Sequence, residues 1–265
     1  LTKILADFLG PCFIYQLYCL NTQLSLHNNV GSKLKIELKL KMKLQKPTEE
    51  FIREILEFYD KEEGNELNEN LLKLFKTFDN DLNKYDVLIK VASLNKIYST
   101  AITNINPVVE QIIKTTAENK ELNELNDFVN FVDKISKIEW TNNKGKTFKR
   151  NNMSFASKYV HFLSEYETPI YDSYIWIVIK GYLGQKNGEL KSFNNPENFK
   201  EFYSIFNEFK KELNLENYSN YEIDKFLWQY GKNLIVEIES ELNLNLEQSK
   251  SELKKRIKAY CQHRV

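Results

Sequence analysis

The sequence predicts an all-α fold, and three observations carry that prediction. The 265 residues include only eight Gly and five Pro, which leaves little material for turns. Leu, Lys, Glu and Asn dominate, a composition that favours long helices joined by short polar loops. Hydrophobic residues make up 42% of the chain, which is enough to bury a core and is not typical of a disordered protein.

The spacing of apolar residues predicts where the helices lie. In TEEFIREILEFYD, residues 48–60, they recur every three or four positions, as on one face of an amphipathic helix. The polar, basic segment TNNKGKTFKRNN is predicted to be a loop, and a charged helix is predicted at the C-terminus. Similar apolar patterns predict further helices near residues 68–78, 84–100, 108–116 and 124–138.

Residues 1–46 are predicted to form an N-terminal extension outside a helical domain that spans 47–265. Charged and apolar residues alternate strictly from Lys33 to Leu44, a pattern open to three interpretations: a half-buried strand, a basic arm, or a poorly ordered appended segment. The apolar run near the start is interrupted by Asp7, Gly10 and Pro11, well short of the ~20 residues that cross a bilayer. We therefore expect no membrane partner.

Charge and cysteine content exclude several classes of protein. The formal net charge is +0, so the chain as a whole lacks the basic character of many nucleic-acid-binding proteins. Three sparse cysteines argue against a disulfide framework and for a reducing compartment, so we expect a cytoplasmic protein. Cysteine and histidine are too scattered for a metal site, and we expect no cofactor. Local charge still matters for phosphate binding, because residues 141–164 contain no acidic side chain and include Lys144, Lys146, Lys149, Arg150 and Lys158.

The most specific segment is SFASKYVHFLSEYETPIYDSYIW, residues 154–176, which places Lys158 14 residues before Asp172. In one interpretation Lys158 is a solvated side chain and Asp172 is the N-cap of the next helix. In the other the two act together on a sugar. A helix start is electropositive and suits a nucleophilic amine or a phosphate, and a fixed carboxylate stabilises the positive charge that develops when a glycosidic bond breaks.

The order of these residues resembles the helix-hairpin-helix family of DNA glycosylases. Members carry a G-V-G-x-K hairpin, an apolar helix, a proline turn, and an aspartate before a second apolar helix. Here SFASK, YVHFLS, ETPIYD and SYIWIVI follow in that order. Two features depart from the family. Ser154 and Ala156 replace the hairpin glycines, and the interval from Lys158 to Asp172 is about one helical turn shorter than in the better-known branches.

The resemblance spans roughly residues 87–183, is closest to the oxidised-guanine glycosylase/lyase branch, and implies a function. It implies two helical subdomains flanking a cleft and a monomer that excises a modified or damaged base flipped out of DNA. Base-excision repair and defence against modified viral DNA are both settings for such an enzyme. The implied catalytic residues are Lys158 and Asp172, with lyase activity if Lys158 attacks the sugar. The implied DNA contacts are Asn95, inserted into the duplex, with Ser154, Ser157 and the basic residues Lys144, Lys146, Lys149 and Arg150.

Two alternatives to an enzyme remain open. The chain could be a non-catalytic helical DNA-binding or interaction module on the same scaffold, which the replaced hairpin glycines favour. A helical domain with no nucleic-acid role predicts no contiguous basic surface. The glycosylase hypothesis requires the fold to bring Lys158 and Asp172 together at one cleft, and the two alternatives do not.

Overall fold

The computed structural model describes residues 41–61, 64–119 and 122–262. The predicted all-α fold is confirmed, because these residues form ten helices and a single two-stranded hairpin. None of the described helices is both long enough and apolar enough to cross a membrane. In chain order the elements are α1 (Glu49–Lys61), α2 (Gly64–Thr77), α3 (Lys84–Ile97), α4 (Asn106–Glu118), α5 (Leu125–Ser136), β1 (Lys137–Thr141), β2 (Thr147–Asn151), α6 (Met153–Leu163), α7 (Ser173–Asn187), α8 (Phe199–Glu212), α9 (Asn220–Leu242) and α10 (Leu246–Gln262).

Local capping chemistry fixes where several helices begin and end. The Ser219 side chain accepts a hydrogen bond from the backbone N–H of Glu222, and the Glu222 carboxylate accepts one from the backbone N–H of Ser219. This capping box starts α9. Asn198 caps α8 in a similar way through the N–H of Glu201. At the other end of α7, Gly188 has φ of 72°, the left-handed conformation that glycine adopts without steric cost and that commonly terminates a helix.

Helix α7 is the centre of the core. Its sequence is apolar on nearly every side, and it packs against α8, α9 and α10. Gly231 of α9 allows a close approach to the first turn of α7, because a Cβ atom there would lie 3.0 Å from Tyr174 Cβ and 3.2 Å from the Tyr174 carbonyl oxygen. The start of α7 is therefore held directly against α9.

The packed part of the chain begins before residue 47, the predicted start of the folded domain. Leu44 is only 2% exposed, and its N–H donates to Gln185 Oε1 on α7 at 3.1 Å. The Met42 N–H donates to the carbonyl oxygen of Arg256 on α10 at 3.0 Å. Residues 42–45 are thus hydrogen-bonded to the helical domain, and Leu44 lies in its core. Most of the alternating segment from Lys33 lies outside the described residues.

The prediction of a loop over residues 141–152 is wrong, because this segment forms a turn and the strand β2. Strand β1 pairs with β2 in antiparallel register, with Trp140 opposite Phe148 and their rings stacked at a centroid distance of 5.1 Å. The Asn142 side chain accepts hydrogen bonds from the N–H groups of Lys144 and Lys146, and Gly145 supplies a φ of 74°. Aromatic side chains facing each other on one side of the hairpin outweigh the surrounding charge.

Candidate functional site

Lys158 and Asp172 lie side by side. Lys158 is on α6 and is only 5% exposed, and its Nζ is 3.4 Å from Asp172 Oδ2. The same Nζ donates a hydrogen bond to Ser154 Oγ at 2.8 Å and lies 5.6 Å from the centroid of the Tyr98 ring. An amine and a carboxylate that are 14 residues apart in sequence are therefore in contact in a mostly buried setting.

Asp172 forms the N-cap of α7 as predicted, whereas the prediction of a solvated Lys158 is wrong because that side chain is buried. Asp172 Oδ1 accepts a hydrogen bond from the Tyr174 N–H at 2.9 Å and so caps α7. Its Oδ2 faces Lys158, and the side chain is 18% exposed. The cap fixes the carboxylate in place, and the second oxygen remains directed at the amine.

The turn that carries Asp172 is anchored by polar side chains from two helices. Ser157 of α6 is fully buried, and its Oγ accepts a hydrogen bond from the Tyr171 N–H at 3.0 Å. Asp224 of α9 is 3% exposed, and its Oδ2 accepts one from the Ile170 N–H at 2.8 Å. These bonds hold two backbone groups immediately before Asp172 and thereby set its position relative to Lys158.

His161 anchors the other end of this turn as a neutral side chain. It is 1% exposed, and its Nδ1–H donates to the Thr168 carbonyl oxygen at 2.6 Å. Burial lowers the pKa of His161 to about 4. Asp224 Oδ2 lies 3.7 Å from the same nitrogen, but the shorter bond to Thr168 uses the proton, so the contact with Asp224 is not an ion pair.

A cavity of about 410 Å³, a volume typical of small-molecule sites, is lined by Lys158 but not by Asp172, which lies behind the lysine. Lys158 and His161 form part of its lining, and helices α1, α2, α3 and α9 or the residues that flank them provide most of the remainder. Four of the lining side chains are large and aromatic: Tyr59, Tyr98, Tyr221 and Trp228.

The tyrosines of the cavity are held by one asparagine. Asn68 Nδ2 donates to the hydroxyls of Tyr59 and Tyr221 at 2.9 and 3.2 Å, and its Oδ1 accepts from the hydroxyl of Tyr98 at 2.8 Å. The Tyr166 hydroxyl donates to the Asn68 carbonyl oxygen, and its ring stacks on Tyr221 at a centroid distance of 4.3 Å. Burial raises the pKa of Tyr59 and Tyr98, so these hydroxyls stay neutral. The three tyrosines that line the cavity are therefore held in fixed positions by Asn68.

The charged side chains that line the cavity are mainly basic. Lys158, Lys225 and Lys232 line it, and Asp224 is the one carboxyl among its described lining residues. Lys225 Nζ lies 4.5 Å from the centroid of the Tyr221 ring and 3.1 Å from Asn65 Oδ1. Lys158 faces Asp172 at 3.4 Å and Lys225 faces Asp60 at 3.5 Å, so two of these three positive charges already have a carboxylate partner.

The segment that resembles the G-V-G-x-K hairpin has a different local structure. Residues 154–158 lie within α6, which starts at Met153, and the element before it is the strand β2. The Ala156 N–H donates to the Asn152 carbonyl oxygen at 2.9 Å as in a regular helix. A helical backbone requires no glycine, which explains why Ser154 and Ala156 are tolerated there.

Asn95 and the basic hairpin residues are separate from the pair. Asn95 holds the loop after α3 through three hydrogen bonds. Its Nδ2 donates to the Ile102 carbonyl oxygen, and its Oδ1 accepts from Thr100 Oγ1 and the Ile102 N–H. Its insertion into DNA stays a prediction and would break all three bonds. The four basic residues lie on the β1–β2 hairpin and are exposed, and their contact with DNA also stays a prediction: Lys144, Lys146, Lys149 and Arg150.

Asp224 lies 52 residues beyond Asp172 and is not among the residues predicted from the sequence. The signal was present in NYEIDKFLWQY, where Asp224 falls among Ile223, Phe226 and Leu227 on the apolar face of a helix. A carboxyl on such a face is costly to bury and often has a specific role.

Comparison with known proteins gives a partial similarity. The family model HI_0787_N, described as an N-terminal domain, matches residues 50–167. This segment is less than half of the 265 residues, includes Lys158, and ends before Asp172. The helix-hairpin-helix glycosylase family is not matched. No curated protein and no solved structure matches the chain.

Proposed function

We propose that the chain is a DNA glycosylase that removes a modified or damaged base by cleaving its N-glycosidic bond. The observation that carries the proposal is the contact of Lys158 with Asp172, at 3.4 Å, beside an aromatic cavity of about 410 Å³. The sequence order of the two residues resembles that of helix-hairpin-helix glycosylases, and the cavity next to them has space for a flipped base.

The geometry supports a division of roles between the two residues. In this mechanism the base enters the cavity that Lys158 lines, and its sugar lies beside Lys158 and Asp172. As the bond between C1′ and the base nitrogen breaks, its electrons leave with the base and positive charge develops on the sugar. Asp172 stabilises that charge. Lys158 gives a proton to the departing base nitrogen. Its free amine then attacks C1′, and the C1′–O4′ bond opens to form a Schiff base that leads to strand cleavage; alternatively, Lys158 orients a water molecule that attacks C1′ and loses its proton to Asp172.

The proposal is tested by incubating the full chain with DNA that carries diverse modified bases and identifying released bases by mass spectrometry. Asp172→Asn and Lys158→Gln should abolish the release that the parent shows. Lys186→Gln is a matched control, because Lys186 forms an ion pair with Glu212 at the far end of α7, roughly 20 Å from Asp172 for a helix of 15 residues. Release that survives Asp172→Asn, or no release from any substrate by the parent, would overturn the proposal.

A second candidate is a helical DNA-binding module without catalysis. The observation that favours it is the helical conformation of residues 154–158, since the hairpin of the glycosylase motif is replaced there by the first turns of α6. In that case the same DNA substrates would bind with a strong dependence on salt, no base would be released, and Asp172→Asn would leave affinity unchanged.

A further inference from the structure

Two exposed aliphatic side chains lie at the mouth of the cavity. Ile97 is the last residue of α3 and is 39% exposed, and Leu67 of α2 is 44% exposed. Both also line the cavity, so each borders its interior as well as the solvent. A single exposed aliphatic residue is common on protein surfaces, but two at the opening of one cavity form an apolar rim that a bound molecule would cover.

The turn that follows Ile97 has a fixed conformation. Ser99 and Ala101 have φ of 48° and 57°, in the left-handed region that residues other than glycine enter only when their surroundings impose it. The three hydrogen bonds of Asn95 hold this turn, and the Tyr98 hydroxyl donates a further one to a side chain of α2. The branched Cβ of an isoleucine also restricts its χ1 rotamers, which distinguishes Ile97 from the leucine on the rim. Ile97 is therefore an exposed apolar side chain on a rigid support.

Two lysines close to this rim have no carboxylate partner in the part of the chain that the structure describes. Lys96 directly precedes Ile97 and is exposed. Lys232 of α9 lines the cavity, with its Nζ 5.1 Å from the centroid of the Trp228 ring. An apolar side chain beside ammonium groups matches the surface of nucleic acid, in which stacked bases lie next to phosphates.

We propose that Ile97 enters the DNA duplex and fills the space that the extruded base leaves. This inference rests on the proposed function, because it takes the ligand to be a duplex with one base flipped into the cavity. Extrusion opens a gap in the stack, and an aliphatic side chain placed between the flanking bases covers their faces. The gap lies next to the point where the base enters the cavity, so the residue that fills it must be at the mouth, where Ile97 is.

The proposal assigns insertion to Ile97 instead of Asn95, the residue that the family resemblance implies. Insertion of Asn95 would break the three hydrogen bonds that hold the turn. Insertion of Ile97 breaks none and uses that turn as its support. The two residues are two positions apart, so the resemblance and the structure indicate the same segment and differ in the side chain.

Affinity for an abasic duplex tests the inference without requiring catalysis. The probe is a labelled duplex with one tetrahydrofuran abasic site, and the reference is the same duplex with ordinary base pairs throughout, which has no gap to fill. Fluorescence anisotropy should show that the parent binds the abasic duplex at least about fivefold more tightly, as expected if part of an aliphatic side chain becomes buried.

Ile97→Ala should bring the ratio of the two affinities close to one, because the remaining methyl group is too short to fill the gap. Ile89→Ala is the matched control. Ile89 is on the same helix and is 36% exposed, but it is not among the residues that line the cavity, so the preference of the parent should persist.

A tryptophan at the same position reports insertion directly. The indole of Ile97→Trp should stack on the flanking bases, and its fluorescence should decrease when the abasic duplex is added. Ile89→Trp should show no decrease beyond that of the parent. Circular dichroism checks that each variant folds.

Three outcomes would overturn the inference: a parent without preference for the abasic duplex, a preference that Ile97→Ala retains or that Ile89→Ala loses equally, and equal loss of fluorescence in the two tryptophan variants. The base-release assay separates this result from the fate of the proposed function. A preference that depends on Ile97, without release of any base, would retain the inserted residue and reject the glycosylase. Base release by a parent that has no such preference would do the reverse.

Discussion

The two carboxylate oxygens of Asp172 can be tested separately, because one caps α7 and the other faces Lys158. Asp172→Asn keeps an oxygen for the Tyr174 N–H but removes the negative charge. Asp172→Ala removes both the cap and the charge. Comparing the two variants therefore distinguishes a structural aspartate from one whose charge is needed for chemistry.

The structure gives the expected size of each effect. Removal of an N-cap costs about 1 kcal/mol of unfolding free energy. Loss of the Asp172 charge leaves the ammonium of Lys158, which is only 5% exposed, without its carboxylate, and this should cost about 3 kcal/mol. We expect Asp172→Asn to be destabilised by about 3 kcal/mol and Asp172→Ala, which also loses the cap, by about 4 kcal/mol. In a Lys158→Met background the cost of Asp172→Asn should fall towards zero.

Base release should respond differently from stability. Both variants lack the charge that stabilises the cationic sugar, so single-turnover release should fall at least about a hundredfold in each. DNA affinity should remain within a few-fold of the parent, because the proposed phosphate-binding residues lie elsewhere. Urea unfolding and single-turnover kinetics provide the two measurements. The reasoning would be refuted by release within a few-fold of the parent in Asp172→Asn, or by equal stability of the two variants.

Three further predictions concern the lysine, the hairpin and the buried histidine. If Lys158 attacks the sugar, borohydride should trap a covalent adduct of protein and DNA that Lys158→Gln abolishes; trapping that survives would assign the attack to another amine. Alanine at all four basic hairpin residues should lower the slope of log affinity against log salt by roughly 0.9 for each phosphate that the hairpin no longer neutralises, and an unchanged slope would place the hairpin away from DNA. The pKa of His161 in the folded protein lies below its value in the unfolded chain, so stability should decrease as pH falls from about 6.5 to about 4. Over that range the unfolding free energy of the parent, measured in urea, should decrease by roughly 3 kcal/mol more than that of His161→Phe. Equal decreases in the two proteins would contradict a buried neutral histidine.

The helical fold was accessible from sequence because apolar residues repeat at helical spacing throughout the described region. The helix predicted over residues 84–100 forms from Lys84 to Ile97, and that predicted over 124–138 forms from Leu125 to Ser136. The second helix stops early because Ile138 and Trp140 enter the hairpin. The strand signal was present in the aromatic residues on either side of a glycine turn, but the many lysines of the segment resembled those of a solvated loop.

The contact between Lys158 and Asp172 was predictable only through the resemblance, since 14 residues of intervening chain do not fix a distance. The packing of α6 against the turn brings Lys158 and Asp172 together, and the residues that hold the turn belong to distant parts of the chain. Asp224 comes from α9, and its hydrogen bond to Ile170 joins positions 54 residues apart. A local pattern of apolar and polar residues carries no information about such a bond.

The turn before Asp172 is anchored by buried side chains from two helices, and this anchoring fixes the position of Asp172 relative to Lys158. In α6 the Ser157 hydroxyl accepts from the Tyr171 N–H, and in α9 the Asp224 carboxyl accepts from the Ile170 N–H. Consecutive backbone groups are thus held from two helices immediately before Asp172, whose own cap fixes the start of α7. Displacements of about 1 Å can reduce rates on the order of a hundredfold, so the proposed chemistry depends on these buried bonds, and weakening them is expected to lower base release even though neither Ser157 nor Asp224 is assigned a chemical role.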